Sequence, residues 1–471
     1  MALNSVALVA ETTAPLPLAG IDCAAAPLDD VPSERCRVGF VFFILLNGVL
    51  FLRPAETIPA LRGWPIYLVV IVLCIAASAP ALLARLRFRS LIAAPATICM
   101  LGLLVAIFLS NAVHGDLWTA RYGAIDFSKT ALYFFLLVAL IDSPRRVRLF
   151  LITLVVFIVG ISVLSILQYH GVVNIPGMET LELPDGEDEM GEGMILRRMI
   201  GPGIFSDPND LSLIVVAGIV LCAHWLFDGE RSLPARLCWL APLATLGYTL
   251  ALTKSRGGFV SLVAAASVFV CLRFNWRKSV PLLVVLLPLI FMVFGGRQTE
   301  IDLDDKEDSA MGRIELWRDA FEYFRESPVF GIGYSQYAER NNLVVHNSFM
   351  HCFSELGVFG ATFFIGMYYL PLQVIRRNKS AKDAEQPSIL HSRPCLLATL
   401  AGYGAGIFFL SRAYALPTYT IFGVATSYGN VLARQRGGAV PQWSAAVLRH
   451  LIVVTMVALI GMYIFLRLSP K

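Results

Sequence analysis

Charge is scarce in this chain. Only 15% of its 471 residues are Asp, Glu, Lys or Arg, while 57% are hydrophobic and the mean hydropathy is +0.68. That is too little charge to cover a soluble protein of this length. The nine cysteines include no CxxC pair, which removes the usual zinc and thiol-redox motifs. Cys74, Cys99, Cys222, Cys238, Cys271 and Cys395 fall in or beside apolar runs, where a thiol behaves as a small hydrophobe. No fixed-period repeat is visible, so repeat arrays are excluded. Residues 1–37 are rich in Ala and Pro and lack a basic start followed at once by an apolar core. A cleavable signal is therefore not expected, and the segment reads as a disordered cytoplasmic tail. The formal net charge of +4 means little as a total, and no nucleic-acid partner is expected.

What the chain has in quantity is apolar runs long enough to cross a bilayer core of about 30 Å as helices. The expected spans are 38–52, 64–84, 91–110, 124–141, 148–168, 208–227, 237–253, 257–272, 279–295, 346–371, 394–411, 414–432 and 449–467. The fold class that follows is all-α, a polytopic membrane bundle of 12 or 13 helices filling 38–471. Basic residues cluster after the even-numbered spans: Arg85, Arg87 and Arg89; Arg145, Arg146 and Arg148; Arg273, Arg277 and Lys278; Arg376, Arg377, Lys379 and Lys382; Arg434 and Arg436. Short loops keep Lys and Arg on the cytoplasmic side, so the amino terminus is expected inside. Two long connections, 169–207 and 296–345, then lie outside, as does the turn "TKSRGG".

The outward segments hold the candidate chemistry. "GRIELWRDAFEYF" spaces Ile314, Trp317, Phe321 and Phe324 as one face of a helix. That helix either lies on the membrane surface or caps the bundle. Arg256 in "TKSRGGF" stands where one span ends and the next begins. It is either an interfacial anchor or a ligand for an anion, which its planar guanidinium suits. An outward basic turn with Lys254 and Arg256 asks for an anionic partner: the acidic stretch 179–192, or a phosphate. Arg198 and Arg313 are further outward arginines near predicted interfaces. "DLD" at 302–304 has an Asp-x-Asp spacing used to hold divalent ions, but solvated loop carboxylates give the same triplet, and no metal is expected. "HNSFMHCFSELGVFG" opens a long apolar segment with His346, Asn347 and Ser348. Asn347 and Ser348 suit a helix cap. His346 is either bonded to nearby backbone or, beside the outward arginines, a base for a hydroxyl proton.

Four segments in order, "FSDPNDLSL", "TKSRGGF", "GRIELWRDAFEYFRESPVFGIGYSQY" and "HNSFMHCFSELGVFG", closely resemble the bacterial O-antigen ligase and O-antigen polymerase superfamily. "LRPAETIPAL" after the first span also looks like members acting in exopolysaccharide assembly. The resemblance covers residues 195–372 well and the flanks by hydropathy. It implies a metal-independent, GT-C-like glycosyltransferase of the bacterial inner membrane, with no cofactor. Such an enzyme takes a glycan from undecaprenyl pyrophosphate at the periplasmic face and passes it to a glycan, lipid or protein acceptor. Carried over by motif, Arg256 and Arg313 hold the pyrophosphate, Arg198 is a looser third cation, and His346 is the base or acceptor-orienting group. Two features depart from the family: the acidic insertion at 179–192, and a thirteenth span that leaves the carboxyl terminus outside.

A transporter or flippase of lipid-linked glycans is the competing class. It calls for paired repeats and charges near mid-span. Here the notable charges sit at outer span ends. EDTA is expected to leave glycan transfer by the purified protein unchanged; a loss restored by magnesium would revive the Asp-x-Asp reading.

Overall fold

The computed structural model describes residues 23–25, 36–187, 193–293, 310–378, 391–435 and 439–469. Each of the thirteen apolar runs is a helix. In chain order they are α1 (Arg37–Leu52), α2 (Ile66–Arg85), α3 (Pro95–Ala112), α4 (Leu117–Leu140), α5 (Pro144–Tyr169), α6 (Pro208–Leu226), α7 (Leu240–Thr253), α8 (Arg256–Arg273) and α9 (Trp276–Val293). After these comes α10 (Ala310–Glu326), the expected amphipathic helix. The series ends with α11 (Ser348–Arg377), α12 (Arg393–Ile407), α13 (Leu416–Gln435) and α14 (Ala445–Leu468). Two helices start before their apolar runs because their caps are polar. Asp116 accepts from the Thr119 N–H ahead of α4, and Ser143 from the Arg146 N–H ahead of α5.

Among the described residues, nine helical segments are long and apolar enough to cross a membrane. α2 and α14 bury only 22% of their apolar windows. They leave Leu68, Val69 and Val72, and Val457, Ile460 and Ile464, on the outside of the bundle. Water would penalise such faces, whereas lipid accepts them. Inside the bundle, small residues allow close approach. A Cβ on Gly402 of α12 would stand 2.7 Å from the Ala265 Cβ of α8, and Ser261 donates to the Gly402 carbonyl at 2.7 Å. Tyr133 donates to Asn47 at 2.6 Å and accepts from Thr420 at 3.2 Å, a buried polar string that ties α1, α4 and α13.

Strands are few and short. The acidic stretch expected as a solvated loop contains part of a hairpin, Leu181–Glu187 against Gly193–Arg198, while residues 188–192 lie outside the described ones. The polar–apolar alternation of Thr180 to Leu183 is the strand signal that the acidic composition hides. In the amino-terminal segment expected to be disordered, Cys23–Ala25 pair antiparallel with Ala439–Pro441. The Asp-x-Asp at 302–304 falls outside the described residues.

Neighbouring helices run up and down, which gives the bundle two end layers. In one, Arg318 of α10 donates to the Ser469 carbonyl just past α14, so the last of the apolar helices ends on the α10 side. In the other, Arg85, Arg434 and Asp142 share electrostatic reach and Arg393 bonds the Ile375 carbonyl. The basic loop residues thus gather opposite α10. α10 caps the bundle: Trp317 and Phe324 are buried, and Trp317 meets Phe408 and Phe465 edge-on or tilted at 5.5 and 5.8 Å.

α11 is broken. Gly357 adopts φ 62° and ψ −166° inside it. The loop after α10 docks on the break: the Ile332 and Gly333 N–H groups bond the Ser354 and Glu355 carbonyls, and Val358 and Phe359 donate to Pro328 and Val329. Backbone groups released by the kink are thereby satisfied by another segment. The contact demands glycine on both sides. A Cβ on Gly331 would lie 2.2 Å from the Glu355 carbonyl carbon, and one on Gly357 would lie 2.4 Å from Val329.

Candidate functional site

Three helices, α6, α8 and α11, begin in the α10-side layer, and each start is capped by a side chain. Asp207 accepts from the Asn209 N–H, Ser255 from Gly258, and Asn347 from both Phe349 and Met350. Helix starts carry unpaired N–H groups and a partial positive charge, so gathering three of them creates a region that favours anions.

The turn "TKSRGG" folds as the sequence implies. Thr253 ends α7, Lys254 takes the left-handed conformation at φ 47°, and Ser255 caps α8, making Arg256 its first residue. Gly258 is required by packing, since a Cβ there would come within 2.5 Å of Ser212. Ser255 donates to the Asn209 side-chain oxygen at 2.7 Å and accepts from Ser212 at 3.1 Å. The same Asn209 oxygen accepts from Arg198 at 3.0 Å, while Arg198 Nε donates to the Thr253 carbonyl at 3.1 Å. Arg198 is 7% exposed. Its guanidinium therefore holds the α7 end against the α6 start, a positioning task beside Arg256.

Arg412, in the connection between α12 and α13, joins this group to the α11 start. Its guanidinium pairs with Asp207 at 2.9 Å and with Asp210, and its backbone N–H donates to Ser348 Oγ at 2.8 Å. Burial would lower the Arg412 pKa, but the Asp210 and Asp207 carboxylates outweigh it and hold the pKa above its ordinary value. Two residues before Ser348 stands His346, half-buried and at φ 53°, in the left-handed region that side-chain-bearing residues rarely adopt. The preceding carbonyl, that of Val345, accepts from Trp317 Nε1 at 2.9 Å. Arg313 precedes Trp317 by one turn on α10, and both Arg313 and Arg256 are half-buried.

The segments carrying Arg256, Arg198, Arg313 and His346 are thus brought into one hydrogen-bonded layer. Arg198 bonds Thr253 and Asn209 in it, and Ser255, Trp317 and Ser348 tie in the segments of the other three. Behind the layer, Glu355 is wholly buried. It accepts from the Tyr337 N–H at 3.1 Å and the Tyr414 hydroxyl at 3.0 Å, and it pairs with His351 Nε2 at 3.2 Å. Asn347 Nδ2, His351 Nδ1 and Ser411 Oγ are buried here without a hydrogen-bond partner. Such atoms are uncommon and mark places where a polar ligand or water completes a site.

Sequence reasoning missed Arg412, Asp207, Asp210, Glu355 and His351. "SDPND" did carry a signal, because Asp, then Pro, then Asp is a helix start. Below the layer, α6 to α9 surround a cavity of about 660 Å³ lined almost wholly by apolar side chains, from Ala251 and Leu262 on its near side to Leu226, Phe227 and Phe274 at the far ends of α6 and α8. Two of its walls, α7 and α8, meet at the Lys254–Ser255 turn. Among the described residues, no group of three His, Cys, Asp or Glu side chains could hold a metal ion.

Residues 241–365 match the family model described as O-antigen ligase. The match runs from α7 into the broken part of α11 and contains Arg256, Arg313 and His346; Arg198 and Arg412 lie outside it. It supports the O-antigen ligase and polymerase superfamily, and with it glycan transfer of the ligase or polymerase type by a multi-pass membrane protein. No curated protein matches the chain.

Arg412→Ala leaves the Asp210 carboxylate, 14% exposed, beside Asp207 with no cation bonded to it. Thermal unfolding in detergent is expected to report a loss of about 2–3 kcal/mol, below the fully buried value because Asp207 is 38% exposed. Arg412→Lys should recover only part of this loss, since an ammonium cannot fork between two carboxylates. An unchanged transition in Arg412→Ala would show that the clamp carries no stability.

Proposed function

From the O-antigen ligase domain, we propose that this protein moves a glycan from undecaprenyl pyrophosphate to an acceptor hydroxyl, with the α10-side layer facing the periplasm of a bacterial inner membrane. The observation that carries the reading is the bonded layer in which the segments of Arg256, Arg313 and His346 meet three helix starts. Arg256 and Arg313 grip the two phosphates, with the α8 start adding its partial positive charge. Pyrophosphate is a good leaving group, so the main need is stabilisation of charge as it departs, which fixed cations in a partly dehydrated cleft supply. The polyprenyl tail lies in the apolar cavity between α6 and α9, whose walls lead to the Arg256 turn.

The acceptor oxygen attacks C1 of the donor sugar from the face opposite the pyrophosphate. A C1–O bond to the acceptor forms, the C1–O bond to phosphate breaks, and the anomeric centre inverts. The hydroxyl proton passes to His346, and undecaprenyl pyrophosphate leaves with the electron pair. Arg198 takes no direct part in this scheme; it holds Thr253 and Asn209 so that Arg256 keeps its place. The acceptor is either a finished lipid or protein target, making a ligase, or another lipid-linked repeat, making a polymerase. Accumulation of finished chains or of single repeats in a deletion strain separates the two.

Arg256→Ala and Arg313→Ala are expected to abolish transfer and weaken donor binding while membrane insertion is kept. His346→Ala should reduce turnover by about 10²–10⁴-fold, the usual range for a lost general base, with donor binding retained. Full activity in both arginine variants would remove the donor assignment, and equal losses of binding and turnover in His346→Ala would remove the base.

A further inference from the structure

A second cavity, of about 360 Å³, opens at the opposite end of the bundle. Its walls are Pro144 and Arg148 at the start of α5, His224 near the end of α6, Asp228 and Arg231 in the following turn, and His391 before α12. The 19 residues of α6 rise about 28 Å between the Asp207 cap and this cavity, so it takes no part in the site above.

His224 is 4% exposed. Its Nε2 lies 3.3 Å from Ser392 Oγ, while Nδ1 is buried without a hydrogen-bond partner. When Ser392 donates to Nε2, the neutral ring carries its proton on Nδ1, leaving an unanswered, buried donor on a ring that lines the cavity. The surrounding charge favours an anion to receive it. Arg231, Arg273 and His391 lie within electrostatic reach of the ring, and Asp228 is the one carboxylate that does. Asp228 is itself engaged by Arg231 at 3.1 Å. Arg148 adds a cation from the α5 side, with Glu230 the other carboxylate in the lining. A metal ion does not fit, since no three ligating side chains group here among the described residues.

We propose that this cavity binds a phosphate-type anion, held by the Arg148 and Arg231 guanidiniums and by the His224 Nδ1–H. Forked guanidiniums and an N–H donor are the groups from which phosphate oxygens accept hydrogen bonds. The cavity sits at helix ends, the depth of lipid headgroups, so the phosphate belongs either to a bilayer phosphodiester or to a soluble compound.

The test uses the full-length protein, delipidated in detergent. Inorganic phosphate is titrated in one arm; in the other, retention of phosphatidylglycerol over phosphatidylcholine is followed by native mass spectrometry. Wild type is expected to bind in one arm, and His224→Gln and Arg231→Gln to weaken that binding by about tenfold each. Arg148→Gln leaves the Ser392 and Asp228 bonds intact and should weaken it similarly, which covers misfolding of the first two. Selective loss of phosphatidylglycerol retention identifies a lipid ligand; loss of inorganic phosphate binding identifies a soluble one. Binding in neither arm, or binding unchanged in Arg148→Gln, overturns the proposal.

Discussion

The Arg412 guanidinium reaches two carboxylates on the first turn of α6, and its backbone N–H reaches the first turn of α11. On the other side of α6, one oxygen of Asn209 collects Ser255 and Arg198. These contacts fix where three helix starts lie relative to one another. Polar groups at that depth have little water to satisfy them, so each must find a partner within the protein. The same need that holds the layer together also concentrates positive potential in it, because helix starts and arginines are what the layer is made of.

The broken helix answers a related constraint. An unbroken α11 would satisfy its own backbone and leave residues 328–333 without these backbone partners. With the left-handed Gly357, four backbone groups turn to residues 328–333 instead. The loop is then anchored from a third side, where His114 bonds the Gly331 carbonyl at 2.8 Å and Ser110 the Tyr334 N–H at 3.0 Å. Through Tyr337 and Glu355 the segment after α10 becomes part of the bundle. α10, with Arg313 on it, is therefore held at its middle by Trp317 on Val345 and at its far end by the loop in the α11 break.

Much of this is legible in the amino-acid sequence. Hydropathy located thirteen helices because lipid exposure requires long apolar runs, and the signal survives even where a span is mostly interior. The turn at Lys254–Ser255 was readable as a polar break between two apolar runs. Arg412 was not. It is a lone basic residue in a short connection, and its partners Asp207 and Asp210 are about 200 positions away, so only the fold pairs them. Glu355 was hidden for a similar reason, since its partners come from residues 337, 351 and 414. Arg198 was legible as an outward cation, yet its bonds to Thr253 and Asn209 give it a supporting part that spacing could not express.

A structure of the protein bound to undecaprenyl pyrophosphate tests the central claim most directly. The account predicts both phosphates within about 3 Å of guanidinium nitrogens of Arg256 and Arg313, the polyprenyl chain between α6 and α9, and His346 facing the side of C1 away from the leaving group. A diphosphate bound elsewhere in the bundle, or held without either arginine, would contradict it.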